Sequence, residues 1–225
     1  MGDEQMLTRI LRFSLFTIIA TGCAGAAAAP ATWTDWTGAG TSVVSGTLDV
    51  GGTPVTVTYS GPYSGAQTTC GTNYWTHPET YQSSVVDNAP PGCDIIQLSG
   101  GGEKTITFSE SVQDPLIALV SWNGNVVDFG VPIEILSYGQ GYWGNGTPIL
   151  NSGGTGFTGS GEVHGTIRLP GYYTQISFTD TSEGWHGFTV GVLGLGDENQ
   201  VPEPPTLLLV MLFLIGLGSM RRFKS

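Results

Sequence analysis

The sequence predicts an all-β domain, an antiparallel β-sandwich of jelly-roll type, with an N-terminal signal peptide before it and a C-terminal single transmembrane helix after it. Three observations predict it. The chain carries 35 Gly in 225 residues and only 11% charged residues, about twice and about half the shares usual in globular proteins. Short alternating or β-branched runs, broken by Gly, Pro, Asn and Asp, recur from Ser42 to Leu195 with no sustained helical period. Both ends, in contrast, hold unbroken apolar stretches next to basic residues.

Residues 1–31 read as the signal peptide. Arg9 and Arg12 flank an apolar stretch, Phe13 to Ala20, that is too short to span a bilayer. The acidic Gly2-Asp3-Glu4-Gln5 sits oddly before that positive region and points to translation starting at Met6. Ala29-Pro30-Ala31 puts small residues one and three positions before a cut that makes Thr32 the mature N-terminus. A second reading takes Ile19-Ala20-Thr21-Gly22-Cys23 as a degenerate lipobox with Cys23 lipidated, although Ala20 stands where leucine is stronger.

Residues 32–196 form the ectodomain. Strands are expected near Val43 to Val50, Val55 to Tyr59, Lys104 to Phe108, Leu116 to Trp122, Val126 to Phe129, Ile133 to Tyr138, Val163 to Leu169, Gln175 to Thr179 and Gly187 to Leu193. Gly52-Thr53-Pro54, Gly100-Gly101-Gly102 and Pro170-Gly171 signal turns, and Asn123-Gly124 is the strongest hairpin candidate. About nine strands with no internal repeat must bury apolar faces against one another, hence two packed sheets; a closed barrel is the alternative. The Gly-rich stretch from Gly139 to Gly161 is punctuated with aromatics, so it reads as an ordered loop or irregular hairpin. Residues 197–201 are a linker, and residues 202–225 carry the tail.

Charge and cysteines bound the environment. From Thr32 to Gln200, Lys104 and Arg168 face fifteen Asp and Glu, a net of −13. Nucleic acid is thereby excluded as a partner, because phosphate binding depends on clustered Lys and Arg. Signal-peptide removal leaves Cys70 and Cys93, an even pair that in an exported chain argues for a disulfide. It would staple the excursion from Gly71 to Gly92, which shows little periodicity. No C-x-x-C spacing is present, so neither metal nor redox chemistry is indicated for these thiols.

The candidate chemistry is sparse. His164 and His186 each lie near a carboxylate, Glu162 and Glu183, and would make a zinc-type site only if neighbouring strands aligned all four. There is no H-E-x-x-H, no D-x-D-x-D-G calcium loop and no G-x-S-x-G, so no metal, no cofactor and no catalytic residue is assigned. Any two of fifteen carboxylates could serve glycoside cleavage, which leaves that hypothesis without residues. Aromatics are more informative: Trp33, Trp36, Trp75, Tyr142, Trp143 and Trp185 adjoin turn-forming residues, where rings either stack on sugars or plug a Gly-rich core. Tyr142, Trp143 and Trp185 are the candidate carbohydrate contacts.

The tail carries the most specific pattern. Val201-Pro202-Glu203-Pro204 precedes an apolar run from Thr206 to Met220 and the basic Arg221, Arg222 and Lys224. The run has 15 residues, about 22 Å as a helix against roughly 30 Å of hydrocarbon. The basic cluster holds the far end in the cytoplasm and places the ectodomain outside. Motif, short helix and basic cluster together resemble the PEP-CTERM sorting signal of Gram-negative bacteria. That resemblance implies recognition by an exosortase, with Glu203 and its prolines read by that enzyme. TWTDWTG at Thr32 to Gly38 and SEGWHGFTVGV at Ser182 to Val192 are similar, more loosely, to the central domain of many PEP-CTERM proteins, a likeness that brings no catalytic residues. The expectation is an exported, non-enzymatic surface or exopolysaccharide-associated protein, cut by signal peptidase and processed by an exosortase. It would pass through an inner-membrane-anchored intermediate to the cell surface or extracellular matrix. The alternative is a polysaccharide-cleaving enzyme or a carbohydrate-binding module on a β-sandwich.

Overall fold

The computed structural model describes residues 28–196. Cys23 and the signal segment through residue 27 lie outside the described residues. So do the segments expected to be a linker and a tail helix, and the expected sorting-signal residues Val201, Pro202, Glu203, Pro204, Arg221, Arg222 and Lys224. The first strands are β1 (Thr32–Trp33), β2 (Asp35–Ala39), β3 (Val43–Val50), β4 (Thr53–Ser60) and β5 (Gly65–Gln67), followed by one turn of 3-10 helix at Pro78–Tyr81. Next come β6 (Ile95–Leu98), β7 (Gly102–Gln113), β8 (Leu116–Trp122), β9 (Val126–Asp128), β10 (Glu134–Tyr138) and β11 (Gly146–Leu150). The last are β12 (Gly156–Gly161), β13 (Val163–Arg168), β14 (Tyr172–Asp180), β15 (His186–Val192) and β16 (Gly194–Leu195).

These strands form two antiparallel sheets in a sandwich. The seven-stranded sheet runs β10-β13-β8-β15-β6-β5 with β1 also on β15, and the nine-stranded sheet runs β11-β12-β9-β14-β7-β4-β3-β2 with β16 also on β7. Strand alternation builds the core between them. In β4, Val55, Val57 and Tyr59 point inward while Pro54, Thr56 and Ser60 face solvent; β7 does the same with Ile106 and Phe108. The β3–β4 hairpin closes on Gly51 and Gly52 at φ 60° and 88° between the paired Val50 and Thr53. Two positive φ values in a two-residue loop make a type I′ turn, whose twist matches the strands and which glycine adopts without strain.

The central strand β8 is buried at every position, so both of its faces are covered. Ile117 and Leu119 enter the inter-sheet core. Leu116, Ala118 and Val120 face outward under Trp75, Tyr81 and Val86 of the long excursion. The Cys70–Cys93 disulfide ties the two ends of that excursion, with Cα atoms 4.8 Å apart. Upstream, Ala29 bridges Val86, and Ala31 exchanges hydrogen bonds of 2.6 and 2.9 Å with Asn88, so the residues just before Thr32 also pack on this cover.

Several details depart from the sequence expectations. Asn123-Gly124 is not a hairpin turn: it carries the chain from β8 in one sheet to β9 in the other, because both edges of β8 are already paired, with β13 and β15. The stretch from Gly139 to Gly161 is ordered, and its second half is the β11–β12 hairpin. Trp33, Trp36 and Trp75 are core residues, so burial removes them from any sugar-contacting surface.

Candidate functional site

One end of the seven-stranded sheet gathers the chemistry. The end of β8, the start of β13 and the start of β15 lie side by side there, through the pairs Val163↔Trp122 and Gly187↔Val120. Between Trp122 and Leu119, β8 has one residue more than β13 opposite it, and Ser121 takes φ 59°. Such a bulge with a non-glycine residue at positive φ re-aims a side chain at the cost of local strain. Here the Ser121 hydroxyl donates to Glu162 Oε2. Asn123 joins two carboxylates: its Nδ2 donates to Glu162 Oε1 at 2.8 Å and its backbone N–H to Glu183 Oε2 at 3.3 Å.

The two carboxylates are not equivalent. Burial, reinforced by the negative charge of Glu162 and opposed by the Asn123 N–H, pushes Glu183 up to about 7. Near neutral pH it therefore divides between an acid that can donate and a carboxylate that can only accept. A carboxyl raised in the fold keeps its proton more tightly than in the unfolded chain, so its contribution to stability is lost as pH rises from the usual carboxylate range through about 7.

Beside Glu162 stands an aromatic cluster. Trp143 meets Trp185 at 4.6 Å between ring centroids, Tyr142 at 4.6 Å and Tyr74 at 5.5 Å. Tyr74 in turn meets Tyr142 and Trp185, each at 5.1 Å. Trp143 and Tyr142 remain 48% and 41% exposed. The loop bearing them lies directly on the sheet: a Cβ on Gly141 would fall 2.1 Å from the His164 ring, and one on Gly144 would touch the Glu162 side chain at 3.7 Å. Only glycine at position 141 lets the loop descend this far. Trp185 is braced by its Nε1 donating to Gln97 Oε1 at 3.4 Å.

The histidines do not converge. His164 shares the outer face with Thr166, which donates to the Tyr81 carbonyl. Burial pushes it down to about 4, and neither ring nitrogen has a partner among the described residues. His186 points the other way, into the inter-sheet core, where it packs on Trp122 at 4.5 Å and bonds Asp180 at 3.0 Å. Opposite faces of one sheet cannot supply a common zinc site, which overturns the alignment the sequence left open. Among the described residues no group of three or more His, Cys, Asp or Glu could hold a metal ion.

Of the sequence candidates, Tyr142, Trp143 and Trp185 come together. Sequence reasoning missed Tyr74, which the disulfide-tied excursion delivers from far along the chain, and Ser121 and Asn123, whose roles depend on the bulge. It noticed Glu162 and Glu183 only as neighbours of histidines. Compared with family models, curated proteins and solved structures, the chain matches none.

Proposed function

We propose that this protein is an exported, PEP-CTERM-sorted sandwich of jelly-roll type whose ectodomain holds extracellular polysaccharide. The observation that carries the reading is the half-exposed aromatic platform of Tyr74, Tyr142, Trp143 and Trp185 beside Glu162, which Asn123 links to Glu183. Rings offer apolar faces to the C–H faces of sugars, and Glu162, Glu183 and Asn123 offer hydrogen bonds to hydroxyls. The strongly acidic ectodomain favours a neutral polymer over an anionic one.

Tyr142→Ala with Trp143→Ala is expected to weaken retention on the host's polysaccharide by about tenfold or more, while stability falls by less than about 1 kcal/mol. Affinity measured by retardation in polysaccharide-containing gels, alongside thermal melts, checks this. A large stability loss with unchanged retention would assign the rings to the core. The unequal pair Glu162 and Glu183 favours cleavage as a second reading. Shortening of the polymer by the wild type, absent in Glu162→Gln, would select it.

The tail supports the sorting half of the reading. Glu203→Ala is expected to leave full-length precursor in the inner membrane with the sandwich folded, and deletion of the host exosortase should do the same. Fractionation and C-terminal mass spectrometry read the outcome. Unchanged surface delivery with an unchanged C-terminus would reduce the tail to an ordinary anchor.

A further inference from the structure

The described residues include two strongly basic side chains, Lys104 and Arg168. Arg168 sits at the rim and pairs with Glu134. Lys104 occupies an inward position of β7, in line with Ile106 and Phe108, and is fully buried. Its Nζ touches Oδ1 of Asp180, which holds the inward position two residues after Phe178 on the neighbouring strand β14. Both side chains are shut off from solvent. The other Nζ hydrogens reach the carbonyls of Gly100 at 3.0 Å and Gly102 at 3.3 Å. The second carboxylate oxygen, Oδ2, lies 3.0 Å from Nε2 of the buried His186, whose Nδ1 is 3.3 Å from Glu183 Oε2.

Two ions in an apolar interior carry a heavy desolvation penalty, and a neutral arrangement of the same atoms escapes it. Condensation of such a pair needs an amine beside a carboxylic acid, and the contact of Nζ with Oδ1 gives a proton a direct path from one group to the other. Held in contact by two paired strands, these groups react at an effective concentration far above any attainable in solution. The imidazole supplies the remaining requirement, an N–H aimed at the oxygen on which charge develops.

We propose that Lys104 and Asp180 condense into an intramolecular amide that ties β7 to β14. Nζ attacks Cγ of Asp180, forming the N–C bond; Oδ2, hydrogen-bonded to His186, carries the negative charge and returns to a carbonyl. Oδ1 takes two of the three ammonium protons, its bond to Cγ breaks, and it leaves as water. The ammonium and carboxylate become an amide bearing one N–H plus one water, with no oxidant, reductant or net charge change. His186 ends in the state in which it began and acts as a positioning group for this step.

Trypsin reads the bond directly, because from Thr32 to Gln200 it can cut only after Lys104 and Arg168. The full exported protein is reduced, alkylated, denatured and digested. The expected product is resistant at Lys104, with the fragment ending at Arg168 still attached to the fragment beginning at Leu169 and a mass one water below their sum. Asp180→Ala should restore cutting at Lys104 and release the fragments. Cutting at Lys104 in the wild type, with the fragment from Leu169 free and no water lost, would overturn the proposal and leave an ordinary buried ion pair. The wild-type result decides even if the variant fails to fold, since an amide survives denaturation.

Discussion

Trp122→Ala is expected to destabilise the sandwich by about 3–5 kcal/mol. The indole is fully buried between the sheets. It packs on Phe157 at 5.9 Å, Phe178 at 6.5 Å and the His186 ring at 4.5 Å. Its Nε1 donates to the Gly187 carbonyl at 2.8 Å, so truncation both opens a large cavity and orphans a buried acceptor. Urea unfolding followed by fluorescence of the remaining tryptophans measures the effect. A loss under about 1 kcal/mol would mean that the sheets are held together elsewhere.

Replacing Cys70 and Cys93 together with Ser is expected to cost about 3 kcal/mol, the chain-entropy value for the loop they close. Their sequence separation is 23. The loss should not stop at stability. The excursion they tie presses Trp75, Tyr81 and Val86 onto Leu116, Ala118 and Val120, and it delivers Tyr74 to the aromatic platform. Freed at its ends, it should uncover the outer face of the sheet and withdraw one ring from the aromatic cluster. The double variant should therefore melt earlier and, well below its melting temperature, hold polysaccharide less tightly. Alkylation of the wild-type protein without reductant should label neither cysteine. Labelling of both, or a variant with unchanged melting and retention, would contradict this account.

The sandwich was legible because its signals are local. Val55, Val57 and Tyr59, or Ile106 and Phe108, announce a half-buried strand through a period of two residues, which the backbone alone imposes. Lys104 falls on the inward parity of that same pattern, yet the pattern could not say whether its side chain was paired or what would pair with it. The disulfide was legible because the stretch from Thr32 to Gln200 holds two cysteines, an even pair that the expected oxidising compartment would join. Strand β6 was missed because Asp94-Ile95-Ile96-Gln97-Leu98 buries both faces and so lacks alternation. Asn123-Gly124 has the residues of a hairpin, and a sheet-to-sheet crossing uses the same glycine freedom. Neither Tyr74 beside Trp185 nor Glu162 beside Glu183 has any trace in spacing, since strand pairing across long separations brings them together. Composition, periodicity and the cysteine pair indicate the fold class, the acidic character and the staple. The site itself exists only where the ends of β8, β13 and β15 meet, because register and the bulge at Ser121, set by packing of the whole core, decide which side chains share one surface.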